Sequence, residues 1–394
     1  MTGPKVPAAE HQVTARLPDL TTAGTARTGH TVAADWAGLH ASSVPRHAGP
    51  AVPGLQIDGF FPAPTRLNTH HGWDHDAQFV LRLPDDWNGA LVVTGAPGVR
   101  RQYATDVVIG DRMLARGYAY AATDKGSSGP EFFTAGTRPG GALAGWNQRL
   151  TELLTAARET VAAWYGSPPR RTYVTGISNG GYLTRWQLEH NPDLVDGGVD
   201  WEGPLWRTEG PNLLTHLPAA LKHYPPWRDH GGTADHEAML AAGYAPGSEF
   251  LWEEHHRTYW GITQRIYRSD LDPGYQGAEE NYDYLARPAT VHDAVSPIAL
   301  TGAIGKPLLS LHGTLDTLLP ISLHADAYAR LVAEAGRGAL HRLYRIEGGN
   351  HVDGYCDLFP GRLRPMQPWY DSAFEALERW VDDDISPATP ADGL

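Results

Sequence analysis

Cysteine occurs once in the 394 residues, at Cys356. A lone thiol excludes an intrachain disulfide and a cysteine-based zinc site, and it leaves the redox character of the compartment open. Cations are also scarce: 32 Lys and Arg stand against 45 Asp and Glu, a formal charge of −13. The longest basic clusters, Arg100-Arg101 and Arg170-Arg171, are only pairs. Phosphate backbones require more concentrated cations, so nucleic acid is not an expected partner. No run approaches the roughly 20 consecutive apolar residues of a membrane helix. The first twenty residues mix Pro, Glu, His and Arg without the apolar centre of a secretion signal. These absences predict a soluble, cytoplasmic protein with no membrane partner. What is present, 41% hydrophobic and 20% charged residues, is the composition of a globular protein able to bury a core.

The length suits one α/β core enlarged by an insertion. Residues 1–50, rich in Ala, Thr, Gly and Pro, read as an irregular N-terminal arm. Residues 51–203 carry the first part of the core. Phe79 to Leu83 and Leu91 to Thr94 are predicted strands, Asp106 to Arg116 a helix closed by Gly117, and Tyr118 to Thr123 another strand. Leu150, Leu153, Leu154, Ala157, Val161 and Trp164 recur at helical spacing before Gly166. From 204 to 300 Trp and Tyr crowd a stretch broken by Pro and Gly, an expected inserted cap. Residues 301–394 complete the core, with strands at Pro307 to Leu311 and His341 to Ile346 and helices at Leu323 to Ala335 and Ser372 to Val381. Strands alternating with helices predict a mostly parallel central sheet covered on both faces.

The chemistry concentrates at Arg171-Thr172-Tyr173-Val174-Thr175-Gly176-Ile177-Ser178-Asn179-Gly180-Gly181, where an apolar strand meets a helix through a Gly-x-Ser-x-Gly turn. A serine hydroxyl is a weak nucleophile, so it must be held exposed on a sharp turn and paired with a base. Small residues flank it because side chains there would collide with adjacent backbone. The order expected after such a turn is an acid and then a histidine, each beyond a later strand. Asp316 lies in His312-Gly313-Thr314-Leu315-Asp316, and His351 ends Glu347-Gly348-Gly349-Asn350-His351. His351 would accept the Ser178 proton and Asp316 would orient its ring. Asp200, Glu202 and Asp353 are alternative acids. An oxyanion would be held by the backbone amides of Asn179 and Ala96, the latter in Gly95-Ala96-Pro97-Gly98 where Pro97 has no N–H. Trp201, Glu202, Trp206 and Trp260 are expected to contact substrate, although most cap aromatics are needed for the insertion's own core. Asp124-Lys125-Gly126-Ser127-Ser128-Gly129 is expected to form another wall of the same crevice, with its charges serving loop architecture. His70-His71-Gly72-Trp73-Asp74-His75-Asp76 and His255-His256 lack the helical spacing or second cluster of a metal site and read as ordinary loop and helix histidines; no metal is expected.

These segments resemble the α/β-hydrolase superfamily, and within it the tannase, feruloyl esterase and 3-hydroxybutyrate-oligomer hydrolase group. The resemblance spans about residues 75 to 382 and rests on the elbow with Gly180-Gly181, on His312-Gly313-Thr314-Leu315-Asp316, on Gly349-Asn350-His351 and on the large insertion between them. It implies an α/β-hydrolase fold with Ser178, Asp316 and His351 as the triad. Tannases and feruloyl esterases of this type carry a cysteine just before the nucleophile, linked to one near the histidine. Ile177 and Val352 stand in those neighbourhoods here, which favours aliphatic hydroxyacid oligomers or another small ester as much as an aromatic one.

The expected activity is hydrolysis of a small-molecule or oligomeric carboxylic ester through an acyl-enzyme, with no cofactor. The same three residues would serve a peptidase or an acyltransferase, since a triad fixes neither leaving group nor acceptor. A noncatalytic binding protein on this scaffold would more often have lost one of them.

Overall fold

The computed structural model describes residues 3–46 and 49–388; residues 1–2 and 47–48 of the predicted arm and 389–394 of the predicted last core segment lie outside them. Nine strands form one sheet: β1 (His11–Leu17), β2 (Gly54–Phe60), β3 (Gln78–Pro84), β4 (Ala90–Gly95), β5 (Ala119–Thr123), β6 (Arg171–Ile177), β7 (Gly197–Trp201), β8 (Leu308–Gly313) and β9 (His341–Ile346). Their spatial order is β1-β2-β3-β5-β4-β6-β7-β8-β9. The first four strands in that order pair antiparallel, and all later pairs are parallel. Strands β3 to β8 are buried along nearly their whole length, which explains why they read as short continuous apolar runs.

Alternate residues of each strand supply two separate cores. Leu91, Val93 and Val174 face one side and meet Leu150, Leu154 and Val161 of a long helix, Gly141–Tyr165. Val92, Tyr173, Val199 and Leu309 face the other and meet Ile109 and Leu114 together with Phe374, Leu377 and Trp380 of the helix Gln367–Asp383. The predicted Asp106-to-Arg116 helix is a π turn, Asp106–Gly110, running into an α turn, Asp111–Ala115.

Between β7 and β8 the chain builds a helical insertion: α1 (Leu213–His230), α2 (Thr233–Ala241), α3 (Glu249–His255), α4 (Gly261–Leu271) and α5 (Ala289–Val295). Asn212 starts α1 by accepting the Leu214 N–H at 2.9 Å. Trp206, Tyr224, Tyr244, Trp252, Trp260 and Tyr267 are all buried and pack ring against ring, for example Trp227 on Trp252 at 4.8 Å and Tyr244 on Trp260 at 5.4 Å. The aromatic crowding is therefore mainly the insertion's own core.

The N-terminal arm is more ordered than its composition predicts. His11–Leu17 is the edge strand of the sheet, in register with β2 from His11 opposite Phe60 to Leu17 opposite Gly54. Most of its side chains are exposed or half-buried, so the strand carries no apolar signal. Backbone pairing along a sheet edge orders it instead.

Candidate active site

The turn after β6 is held by close backbone approach. A Cβ on Gly176 would lie 2.5 Å from the Gly180 carbonyl carbon, and one on Gly180 would lie 2.5 Å from the Gly95 carbonyl oxygen. Only hydrogen fits at either position. Ser178 between them adopts φ 56° and ψ −120°, a conformation that costs a non-glycine residue about 1–3 kcal/mol. Its N–H donates to the Trp201 carbonyl at 2.9 Å and its carbonyl accepts from Tyr182 N–H at 2.9 Å, which locks the turn to β7 and to the helix Asn179–His190 that follows.

The loops after β8 and β9 touch in the same way. A Cβ on Gly313 would fall 2.3 Å from the Gly349 carbonyl carbon, and Leu315 N–H donates to the Gly349 carbonyl at 2.9 Å. This crossing brings Asp316 Oδ2 to 2.8 Å from His351 Nδ1. Asp316 Oδ1 accepts the amides of Leu318 and Leu319, each at 2.8 Å. His312 Nε2 lies 3.4 Å from Asp316 Oδ2 and 2.7 Å from the Leu319 carbonyl. Burial alone would push the Asp316 carboxyl up, but the charges and hydrogen bonds of His351 and His312 outweigh it and hold the group well below the ordinary carboxylate range. An ionised Asp316 accepts the hydrogen bond of His351 Nδ1–H, which leaves Nε2 as the unprotonated, basic nitrogen of the ring.

Glu202 completes the cluster from the end of β7. It is fully buried with φ 54°, its Oε1 accepts the Gly313 N–H at 2.7 Å, and its Oε2 lies 3.8 Å from His351 Nδ1. Burial and the nearby Asp316 carboxylate push its own carboxyl well above the usual range, the opposite direction from Asp316. Among the described residues Glu202, Asp316 and His351 form the one group whose ligand atoms could converge on a metal, all lying within 4.8 Å. The short Asp316–His351 hydrogen bond already uses the nitrogen such an ion would need.

Ser178 and His351 open into one cavity of about 250 Å³. Its walls are mainly apolar, with Leu39 from the arm, Val99 after β4, Tyr259, Ile266 and Tyr267 from the insertion, and Leu318 beside Asp316. Asn179 is the first residue of its helix, where the amide has no intrahelical acceptor. Its side chain donates to the Gly98 carbonyl at 2.9 Å and to the Tyr267 hydroxyl at 2.6 Å, tying the loop after β4 to α4. The expected second oxyanion donor is corrected here. Ala96 N–H donates to the Thr123 carbonyl at 2.9 Å, because Ala96 continues the β4–β5 ladder past the strand's end. Gly98 and Val99, which line the cavity, have amides with no acceptor among the described residues.

A sequence profile of the family described as tannase and feruloyl esterase matches residues 66–199, a stretch that includes Ser178 and ends before Asp316 and His351. A mono(2-hydroxyethyl) terephthalate hydrolase from Piscinibacter sakaiensis is 27% identical over 141 residues, which are 32% of this chain and 23% of that protein. The chain thus matches about a quarter of the length of that relative. Feruloyl esterase B from Aspergillus oryzae superposes with a TM-score of 0.61 at 14% identity, over 97% of this chain and 89% of that one. Tannin acyl hydrolase from Aspergillus niger gives 0.54 at 13% identity, over 95% and 83%. The chain has the α/β-hydrolase fold.

The four residues expected to contact substrate lie away from this cavity. Trp201 is fully buried at the end of β7 against Tyr370, with ring centroids 5.6 Å apart. Trp206 packs beneath Tyr267 at 5.6 Å. Trp260 donates its indole N–H to the Thr317 carbonyl at 2.7 Å, bracing the acid loop from the insertion. Glu202 sits behind His351. None lines the cavity: the three tryptophans pack into the two cores, and Glu202 is turned to the Gly313 N–H. Asp124 and Lys125 are likewise fully buried, and of their loop only Ser128 and Gly129 reach a cavity, a second one beside the first. His70 pairs with Asp35 at 2.8 Å, His71 with the Tyr103 hydroxyl at 2.7 Å, and His75 with the Asp76 carbonyl at 2.6 Å. Burial brings His255 down to about 4; its ring stacks on Tyr355 at 4.8 Å. Ile177 and Val352 fall in one buried apolar cluster, so hydrophobic packing occupies the two neighbourhoods where the resemblance implies a disulfide.

The residues missed from sequence divide by signal. Leu318 and Leu319 stand two and three residues after Asp316 and were legible as its neighbours. Tyr259, Ile266 and Tyr267 stand on a helix whose inward face depends on how the insertion docks. Leu39 comes from a segment with no periodic pattern.

Proposed function

We propose that this α/β-hydrolase is a serine esterase that cleaves carboxylic esters through an acyl-enzyme on Ser178. The Asp316–His351 pair at 2.8 Å, opening with an elbow serine into one apolar cavity, carries the proposal. Ser178 Oγ attacks the ester carbonyl carbon as His351 Nε2 takes its proton, and Asp316 stabilises the imidazolium. The amides of Asn179 and of Gly98 or Val99 receive the oxyanion. His351 then returns the proton to the leaving alkoxide. Water, deprotonated by the same nitrogen, attacks the acyl carbon and releases the acid and free Ser178. These steps need no metal or organic cofactor.

The relatives named above include a feruloyl esterase, a tannin acyl hydrolase and a terephthalate monoester hydrolase, and an aromatic acyl group suits a cavity walled by Tyr259, Tyr267, Ile266 and Leu318. Apolar hydroxyacid oligomers would fit the same walls. A panel of aryl and aliphatic esters assayed with wild type and Ser178→Ala tests the proposal. Turnover should fall by at least about 10³-fold in the variant, and an unchanged rate would refute it.

A further inference from the structure

A second cavity of about 300 Å³ adjoins the one that holds Ser178, and the two share Val99 and Arg100 as a wall. Its character is different. Arg100, Arg101 and His70 line it, with Asp35 as the one carboxylate. Asp35 is already engaged: its Oδ1 meets His70 Nε2 at 2.8 Å and its Oδ2 accepts the Val32 N–H at 3.0 Å.

Both guanidinium groups have only neutral partners. Arg100 donates to the carbonyls of Asp35 at 3.3 Å and Ala37 at 2.7 Å. Arg101 donates to the Thr69 hydroxyl at 2.9 Å. Neither has a carboxylate within 4.0 Å among the described residues, in a chain of net charge −13. Five donors on each guanidinium leave most of this capacity unused. Burial pulls the Arg100 pKa below its ordinary value, with Tyr259 and Asp35 giving partial compensation, so an anion arriving there would relieve a cost already present. A planar fork of N–H donors matches a carboxylate in particular.

We infer that the cavity beyond Val99 and Arg100 is a carboxylate subsite, and that the ester taken by this protein carries a free carboxylate held by Arg100 and Arg101 while its ester group lies at Ser178. The inference rests on the proposed esterase function and deepens it. Because Val99 and Arg100 line both cavities, a carboxylate held in one and an ester held in the other belong to one small molecule, as in a half-ester of a dicarboxylic acid.

The test compares half-esters with the corresponding neutral diesters, using the monoethyl and diethyl esters of the dicarboxylic acids from glutarate to azelate. In wild type the preferred half-ester should show a KM about tenfold below that of its diester. Arg101→Gln should erase that difference by raising the half-ester KM about tenfold, with diester kcat/KM changed less than about twofold. Calorimetric binding of the same compounds to Ser178→Ala, with and without Arg101→Gln, gives the subsite a readout independent of turnover. If diesters are cleaved but half-esters neither bind better nor respond to Arg101→Gln, the subsite is refuted and esterase function stands. If no ester is cleaved, esterase function is refuted, and the binding comparison alone decides the subsite: a tenfold preference lost in Arg101→Gln upholds it, and equal affinities overturn it.

Discussion

Two carboxyl groups compete for one imidazole, and distance separates their roles. Asp316 makes the 2.8 Å contact with His351 Nδ1, whereas Glu202 stays at 3.8 Å. Their environments push them apart as well: His351 and His312 hold the Asp316 carboxyl down against its burial, while burial and Asp316 push the Glu202 carboxyl up. Asp316→Asn should therefore lower kcat by about 10⁴-fold, since an amide can neither fix the tautomer nor stabilise the imidazolium. Glu202→Gln keeps the shape of the side chain and an oxygen able to accept the Gly313 N–H bond, and should cost less than about tenfold. Steady-state kinetics on the best ester checks both. The reverse ranking would make Glu202 the acid, the alternative that the sequence alone leaves open.

At the scale of elements, the acid and the histidine depend on two loops that cross at Gly313 and Gly349. Gly313→Ala would place a methyl 2.3 Å from the Gly349 carbonyl carbon, so the loops must separate. Overpacking of this kind costs about 1–3 kcal/mol. Denaturant unfolding should show that loss together with at least a tenfold drop in kcat. Full retention of both would mean that the crossing does not set the Asp316–His351 distance. The central strands were legible because burial on both faces leaves short apolar runs such as Leu91-Val92-Val93 in β4, and the elbow was legible because its glycines are sterically required. The edge strand His11–Leu17 was not, since backbone pairing rather than side-chain burial orders it. Ala96 was misjudged for a related reason: the ladder's hydrogen bonding extends one residue past the end of β4 and consumes its amide. Trp201, Trp206 and Trp260 were misplaced because an aromatic's identity does not say which face of its element meets the core.

Across the whole molecule the site is assembled from pieces remote in sequence: Leu39 of the arm, the loop after β4, the elbow, α4 of the insertion, and the loops after β8 and β9. The parallel half of the sheet makes this possible by placing the carboxyl ends of β4, β6, β7, β8 and β9 along one edge, where ligands of open α/β sheets collect. Arm and insertion then cover that edge. Arg100, donating to the carbonyls of Asp35 and Ala37, and Asp357, accepting from Ser42, hold the arm against it from two sides. Leu39 lies between these anchors, so a segment that reads as irregular becomes part of the wall around Ser178.

The most direct test of a nucleophilic Ser178 is intact-mass measurement after treatment with a fluorophosphonate, followed by peptide mapping. One adduct per chain, located on Ser178 and absent from Ser178→Ala, is the predicted result. No adduct on the wild-type protein, or one that persists undiminished in Ser178→Ala, would contradict it.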